Sequence, residues 1–127
     1  MFHSFSSQSE RRAFGGSCFM EFQYCRLPQK TSRDRIVDSM DHWKLDSLYL
    51  HGDDMGTFWE LYRHIFTGGY YGNGKSGVVD MWGINYYTPE QTQQILAQLK
   101  QENLPESQPL MDWLEKADCN GFYLCGV

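Results

Sequence analysis

One run of residues carries the most explicit chemical pattern in the chain. Gly69-Tyr70-Tyr71-Gly72-Asn73-Gly74-Lys75-Ser76 matches G-x-x-x-x-G-K-[ST], the loop whose backbone amides cradle nucleotide phosphates. That chemistry needs a buried strand before the loop and a helix after it, so that amides and helix dipole converge on the anion. The flanking residues offer the reverse. Thr57–Phe66 reads as a helix, and Gly77-Val78-Val79-Asp80-Met81-Trp82 reads as extended chain with no capping residue. About fifty residues then remain, fewer than a parallel sheet with a Walker B aspartate needs. The run is therefore read as a glycine-rich connection from helix to strand.

His51, Asp53 and Asp54 gather at a strand end, with Asp41, His42 and Asp46 upstream. Imidazole and carboxylates together bind metals or move protons. The histidines at 3, 42, 51 and 64 have no H-E-x-x-H spacing, however, and a polar strand-to-helix loop explains the group equally well, with Asp54 complementing a helix dipole. No G-x-S-x-G nucleophile elbow occurs. Cys18 and Cys25 are separated by six residues and Cys119 and Cys125 by five, so neither pair makes a C-x-x-C. All four lie in or beside apolar, strand-like stretches and read as buried, reduced thiols of a cytoplasmic protein, with zinc or a structural disulfide as alternatives. No cofactor or metal is expected.

The remaining chemistry is that of recognition. The chain has 8 Phe, 8 Tyr and 4 Trp, and a formal net charge of -5. Residues 1–40 carry six Lys/Arg and four acids, whereas residues 41–127 carry five Lys/Arg and twelve acids. A body of that sign repels phosphates, which argues against nucleic acid, and suits a basic protein partner. Tyr70 and Tyr71 lie in a glycine-rich loop. Tyr86 and Tyr87 lie in a strand, where adjacent side chains face opposite ways, so one of them is expected at the surface. Asp53, Asp54, Tyr70, Tyr71 and Tyr86 are the candidate partner-binding residues, acids for attraction and rings for anchoring. The alternative is that the rings cap the core.

These residues must be positioned by one domain, the default at 127 residues. Residues 1–16 show no periodicity and read as a flexible or loosely docked arm. Cys18–Cys25 alternates as a half-buried strand with Cys18, Met20, Phe22 and Tyr24 on one face, and Leu45–Leu50 is a second strand. A helix follows from Thr57, capped reciprocally by Thr57 and Glu60 and apolar at Phe58, Leu61, Tyr62 and Ile65. Val78–Tyr87 is a third strand, interrupted by a bulge or close approach at Gly83. Thr88-Pro89-Glu90-Gln91 is a strong helix start, with Thr92, Ile95, Leu96 and Leu99 buried. A last helix begins near Pro109, buries Leu110, Trp113, Leu114 and Ala117, and closes at Asn120-Gly121 before an apolar strand, Phe122–Val127. The order β-β-α-β-α-α-β is α+β, with residues 40–127 the compact domain and residues 1–39 an arm plus first strand. Methionines at 20 and 40 leave open that 1–39 is an upstream extension.

Asp80 through Leu99, as D-x-x-G-x-x-x-Y-T-P-E-Q-x-x-x-I-L-x-x-L, resembles a segment of small bacterial YfbM-like proteins of unknown function, and Trp43–His51 is loosely similar to their upstream segment. The resemblance brings no catalytic residues. No apolar run approaches the roughly 20 residues of a membrane helix, and Met1–Phe5 shows no secretory signal, so a cytoplasmic protein is expected. The leading expectation is a non-catalytic bacterial protein-binding domain in the style of immunity-type inhibitors of basic toxins. The alternatives are a small enzyme or ligand-binding module near His51, Asp53 and Asp54, and a homo-oligomeric structural subunit joined through Phe122–Val127.

Overall fold

Phe122-Tyr123-Leu124-Cys125 is apolar at every position, which suits a strand covered on both faces. In the computed structural model, which describes residues 1–15, 18–28, 30–32, 35–36, 43–117 and 120–126, this segment is β7 (Phe122–Cys125), buried throughout. It lies mid-sheet, antiparallel to β2 (Phe19–Tyr24) on one side and β6 (Ile84–Tyr87) on the other. Its backbone is therefore taken up on both sides, and the C-terminal strand does not offer the free edge that the oligomer expectation required. The edges are β1 (Phe2–His3), paired with β3 (Leu48–His51), and β5 (Ser76–Gly77), paired with β4 (Gly69–Tyr70). The order β1-β3-β2-β7-β6-β4-β5 makes one antiparallel sheet.

Three helices cover one face. They are α2 (Met55–Tyr62), α3 (Pro89–Glu102) and α4 (Gln108–Glu115); α1 (Gln8–Ala13) is a shorter fourth. Phe58 and Tyr62, Ile95 and Leu99, and Leu110 and Trp113 pack on Met20, Phe22, Leu48, Leu50, Leu124 and Tyr87 to form the main core. Thr88 caps α3 as its sequence requires: its hydroxyl accepts from Gln91 N at 3.1 Å, and its amide donates to Gln91 Oε1 at 2.9 Å. None of the helices described is long and apolar enough to cross a membrane.

The mixed helix-and-strand reading holds, but the count changes. All seven expected elements are present in order; β1, α1, β4 and β5 are added, giving seven strands and four α-helices among the described residues. The added strands span two residues each, too short for a period of two to register. Of the expected arm, the described residues 1–15 are seated through Phe2 and Phe5, 8% and 6% exposed. α2 begins at Met55 instead of Thr57, because a 3-10 turn over Gly52–Asp54 runs directly into it; Thr57 is exposed and makes no capping box. α4 ends at Glu115, short of the Asn120-Gly121 closure read from sequence. Val78–Tyr87 is not one strand. Asp80 folds residues 80–83 into a turn, its Oδ1 accepting from Trp82 N at 2.9 Å, while Asn85, fully buried, donates to the carbonyls of Asp80 and Leu124 at 2.9 and 3.2 Å. Gly83 is the expected close approach: a Cβ there would meet the Asp80 carboxylate at 2.5 Å.

Candidate binding groove on the second sheet face

Glu21 and Gln23 lie on the face of β2 opposite the helices. Register places its side chains in rows. Tyr49, Glu21, Cys125 and Ile84 form one row, and Gln23, Tyr123, Tyr86 and Tyr70 the next. Leu27 and Ile36 pack on the second row, where Gln23, Tyr86 and Tyr123 are only 2–4% exposed. Tyr86 donates to Asn120 O at 2.8 Å. Tyr86 is thus a core residue and unavailable as the surface anchor expected of it; Tyr87, at 0% exposure, is buried too. The one-in, one-out rule fails here because the sheet is covered on both faces at this row.

The first row is less fully covered: Glu21 and Ile84 are half-buried, while Tyr49 and Cys125 are buried. Phe19, Glu21, Trp43, Tyr49 and Trp82 line a groove of about 360 Å³, into which α1 sends Arg11. Glu21 is half-buried, and one oxygen, Oε2, accepts from Ser47 Oγ at 2.6 Å, Gln23 Nε2 at 2.8 Å, Lys44 N at 3.0 Å and the Tyr49 hydroxyl at 3.2 Å. Four donors on one oxygen fix the carboxyl plane and leave Oε1 without a partner among the described residues. Burial first and the Glu21 charge second push the Tyr49 hydroxyl well above the ordinary tyrosine range, which keeps it a donor. The same two causes raise the Cys125 thiol, so the sulfur in this row is a protonated hydrophobe. Trp82, 73% exposed, stands at the rim and is the most exposed large ring.

Around Arg11 the groove narrows to an aromatic pocket. The guanidinium carbon lies 5.5 Å from the Phe19 ring centre, 5.7 Å from that of Tyr49 and 5.8 Å from that of Trp43. Tyr49 and Trp43 stack at 5.3 Å and 18°, and Phe19 meets Tyr49 edge-on at 85°. Each ring presents the electron-rich face that attracts a cation.

The residues singled out in the sequence flank this groove. His51 packs edge-on to Phe19 at 5.0 Å. Its Nε2 lies 3.0 Å from Gly15 O, and its Nδ1 accepts from Asp53 N at 3.1 Å, so both ring nitrogens are engaged in holding the chain. The Asp53 side chain, 93% exposed, stands 3.5 Å from that Nδ1, and Asp54 ends the same 3-10 turn. Asp46 is drawn away to Arg26, and Asp41 and His42 lie outside the described residues. Among the described residues no three His, Cys, Asp or Glu side chains gather as a metal site would require. Cys25 and Cys125 are buried free thiols, Cys18 is exposed, contrary to expectation, and Cys119 lies outside the described residues.

Tyr70 and Tyr71 belong to the far edge, four strand spacings from β3, roughly 19 Å away. There the phosphate-loop pattern is a β-hairpin. Tyr71 N donates to Lys75 O at 2.8 Å, Gly74 N to Tyr71 O at 3.0 Å and Lys75 N to Asn73 Oδ1 at 3.0 Å. Those amides satisfy the loop itself, and β5 rather than a helix follows Lys75. Tyr71 is half-buried, with its hydroxyl donated to Val78 O.

Sequence reading found the flanks and missed the centre. Phe19, Glu21, Trp43 and Tyr49 come from three segments whose adjacency depends on strand order. The available signal was Glu21, a carboxylate inside an otherwise apolar strand, which rarely sits there without dedicated donors. No protein-family model, curated protein or solved structure matches this chain.

Proposed function

We propose that this chain is a non-catalytic, cytoplasmic bacterial binding domain that holds a basic protein partner, in the manner of an immunity-type inhibitor. The observation that carries the reading is the groove: a carboxylate fixed by four donors, walled by aromatic rings, on a chain of net charge -5. Acids with preset geometry favour encounter with a cationic surface, and aromatic rings supply the desolvated contact. Trp82 is the projecting anchor in this reading, Asp53 and Asp54 extend the negative rim, and Tyr70 and Tyr71 form the opposite shoulder.

The experiment is capture of the basic partner from the native host, followed by titration against variants. Trp82→Ala should weaken binding by about 2 kcal/mol, roughly thirtyfold, as for an interfacial tryptophan. Glu21→Gln should weaken it about tenfold or more, and Asp53→Asn with Asp54→Asn should mainly slow association and flatten its salt dependence. A partner that binds all three variants as tightly as the parent chain would eliminate this reading.

A further inference from the structure

We propose that the Phe19–Trp43–Tyr49 pocket is a receptor for the guanidinium or alkylammonium head of a partner's basic side chain, with Arg11 as its resident stand-in, so that engagement requires α1 to lift away. This rests on the binding-domain reading above and adds the ligand class and a self-occluded state.

Three independent features point the same way. The occupant declares the chemistry: a guanidinium already lies within 6 Å of three ring centres. It is also an incomplete ligand. Arg11 Nε is withdrawn from solvent with no hydrogen-bond partner, and its guanidinium makes no hydrogen bond or ion pair among the described residues. Glu21 lines the same groove, and its Oε1, without a partner among the described residues, is the acceptor that a better-placed cation would reach. A guanidinium entering from outside gains that charge-assisted bond, which Arg11 lacks.

The second feature is the weakness of the strap. α1 spans six residues, none of them fully buried. An isolated helix of that length does not persist in water. Its start depends on local polar bonds: Ser7 Oγ accepts from Glu10 N at 3.0 Å, and Ser6 N donates to a Glu10 oxygen at 2.8 Å. The Ser6 hydroxyl bond, then the Ser6 amide bond, hold the Glu10 carboxyl below its ordinary range. The third feature is strain. Trp43 adopts φ +47°, a left-handed backbone that a bulky side chain rarely takes, and this conformation coincides with the ring that closes the pocket.

The test uses Nα-acetyl-arginine methylamide as probe, titrated into ¹⁵N-labelled parent chain, Arg11→Ala, Arg11→Lys, and Arg11→Ala combined with Glu21→Gln. Arg11→Ala should bind the probe at least about tenfold more tightly than the parent, with the Trp43 indole and the Tyr49 amide shifting. Arg11→Lys, which keeps a cation in place, should stay close to the parent, and the Glu21→Gln combination should lose the gain. In the parent chain, saturating probe should speed hydrogen exchange at the α1 amides. Equal affinity of the parent and Arg11→Ala, shifts that avoid Trp43 and Tyr49, or an Arg11→Ala chain that no longer folds would each overturn self-occlusion. If a basic protein still binds in those cases, only this inference fails; if no basic protein binds, the binding-domain reading fails as well.

Discussion

A chain cut to residues 40–127 is expected to show no cooperative unfolding transition. The cut removes β2, which lies between β3 and β7, so both neighbours lose a ladder at once. It also removes Met20 and Phe22, each 0% exposed, whose burial contributes on the order of 1.5–3 kcal/mol apiece. Phe22 meets Phe58, Phe66, Trp113 and Phe122, so its loss opens contacts with α2, α4 and β7 together. Against a domain stability of roughly 5–15 kcal/mol, these losses and the unpaired backbone leave no margin. Circular dichroism on heating is the check. A sigmoidal melt of the 40–127 chain would show that β2 is dispensable, and the sheet order described here would not survive it.

Gly121→Ala should cost about 3–5 kcal/mol, combining the strain of a left-handed alanine with overpacking. Gly121 has φ +79°, and a Cβ there would lie 2.0 Å from the Tyr87 carbonyl oxygen and 3.0 Å from the Thr88 carbonyl carbon. Both are backbone atoms at the junction of β6 and α3, where Thr88 also forms the capping box, so no rotamer change relieves the overlap. The same residue ties β7 to the end of β2, since Gly121 O accepts from Cys25 N at 3.0 Å. Denaturant titration measures the loss. A change below about 1 kcal/mol would mean that the junction yields easily.

Legibility followed the length scale of the physics. The α3 helix was readable to the residue because its start is decided by Thr88, Pro89 and Gln91 alone, and its buried face by a spacing internal to the helix. The start of α2 was misread because His51 and the 3-10 turn, which lie before the helix, outcompeted Thr57 and Glu60. Tyr86 is expected at the surface because alternation within one strand cannot reveal what covers the second face; Ile36, fifty positions earlier, packs there. The continuous apolar run at Phe122–Cys125 is the local sign of two-sided burial in the central strand. The phosphate-loop pattern was rejected correctly from its neighbours, and the hairpin bonds among Tyr71, Asn73, Gly74 and Lys75 give the atomic reason. The groove was invisible because Arg11, Phe19, Glu21, Trp43 and Tyr49 meet only once β2 and β3 pair and α1 docks.

Partner binding requires that a cationic group be received on the row that contains Glu21. The direct measurement is an amide and indole shift map of the ¹⁵N-labelled chain titrated at low salt with a short peptide of alternating arginine and glycine. Shifts concentrated at Phe19, Glu21, Tyr49, Ile84 and the Trp82 indole, and abolished by Glu21→Gln, are the predicted result. Shifts confined to the Tyr71–Lys75 hairpin or scattered over the helical face, unchanged by Glu21→Gln, would contradict it.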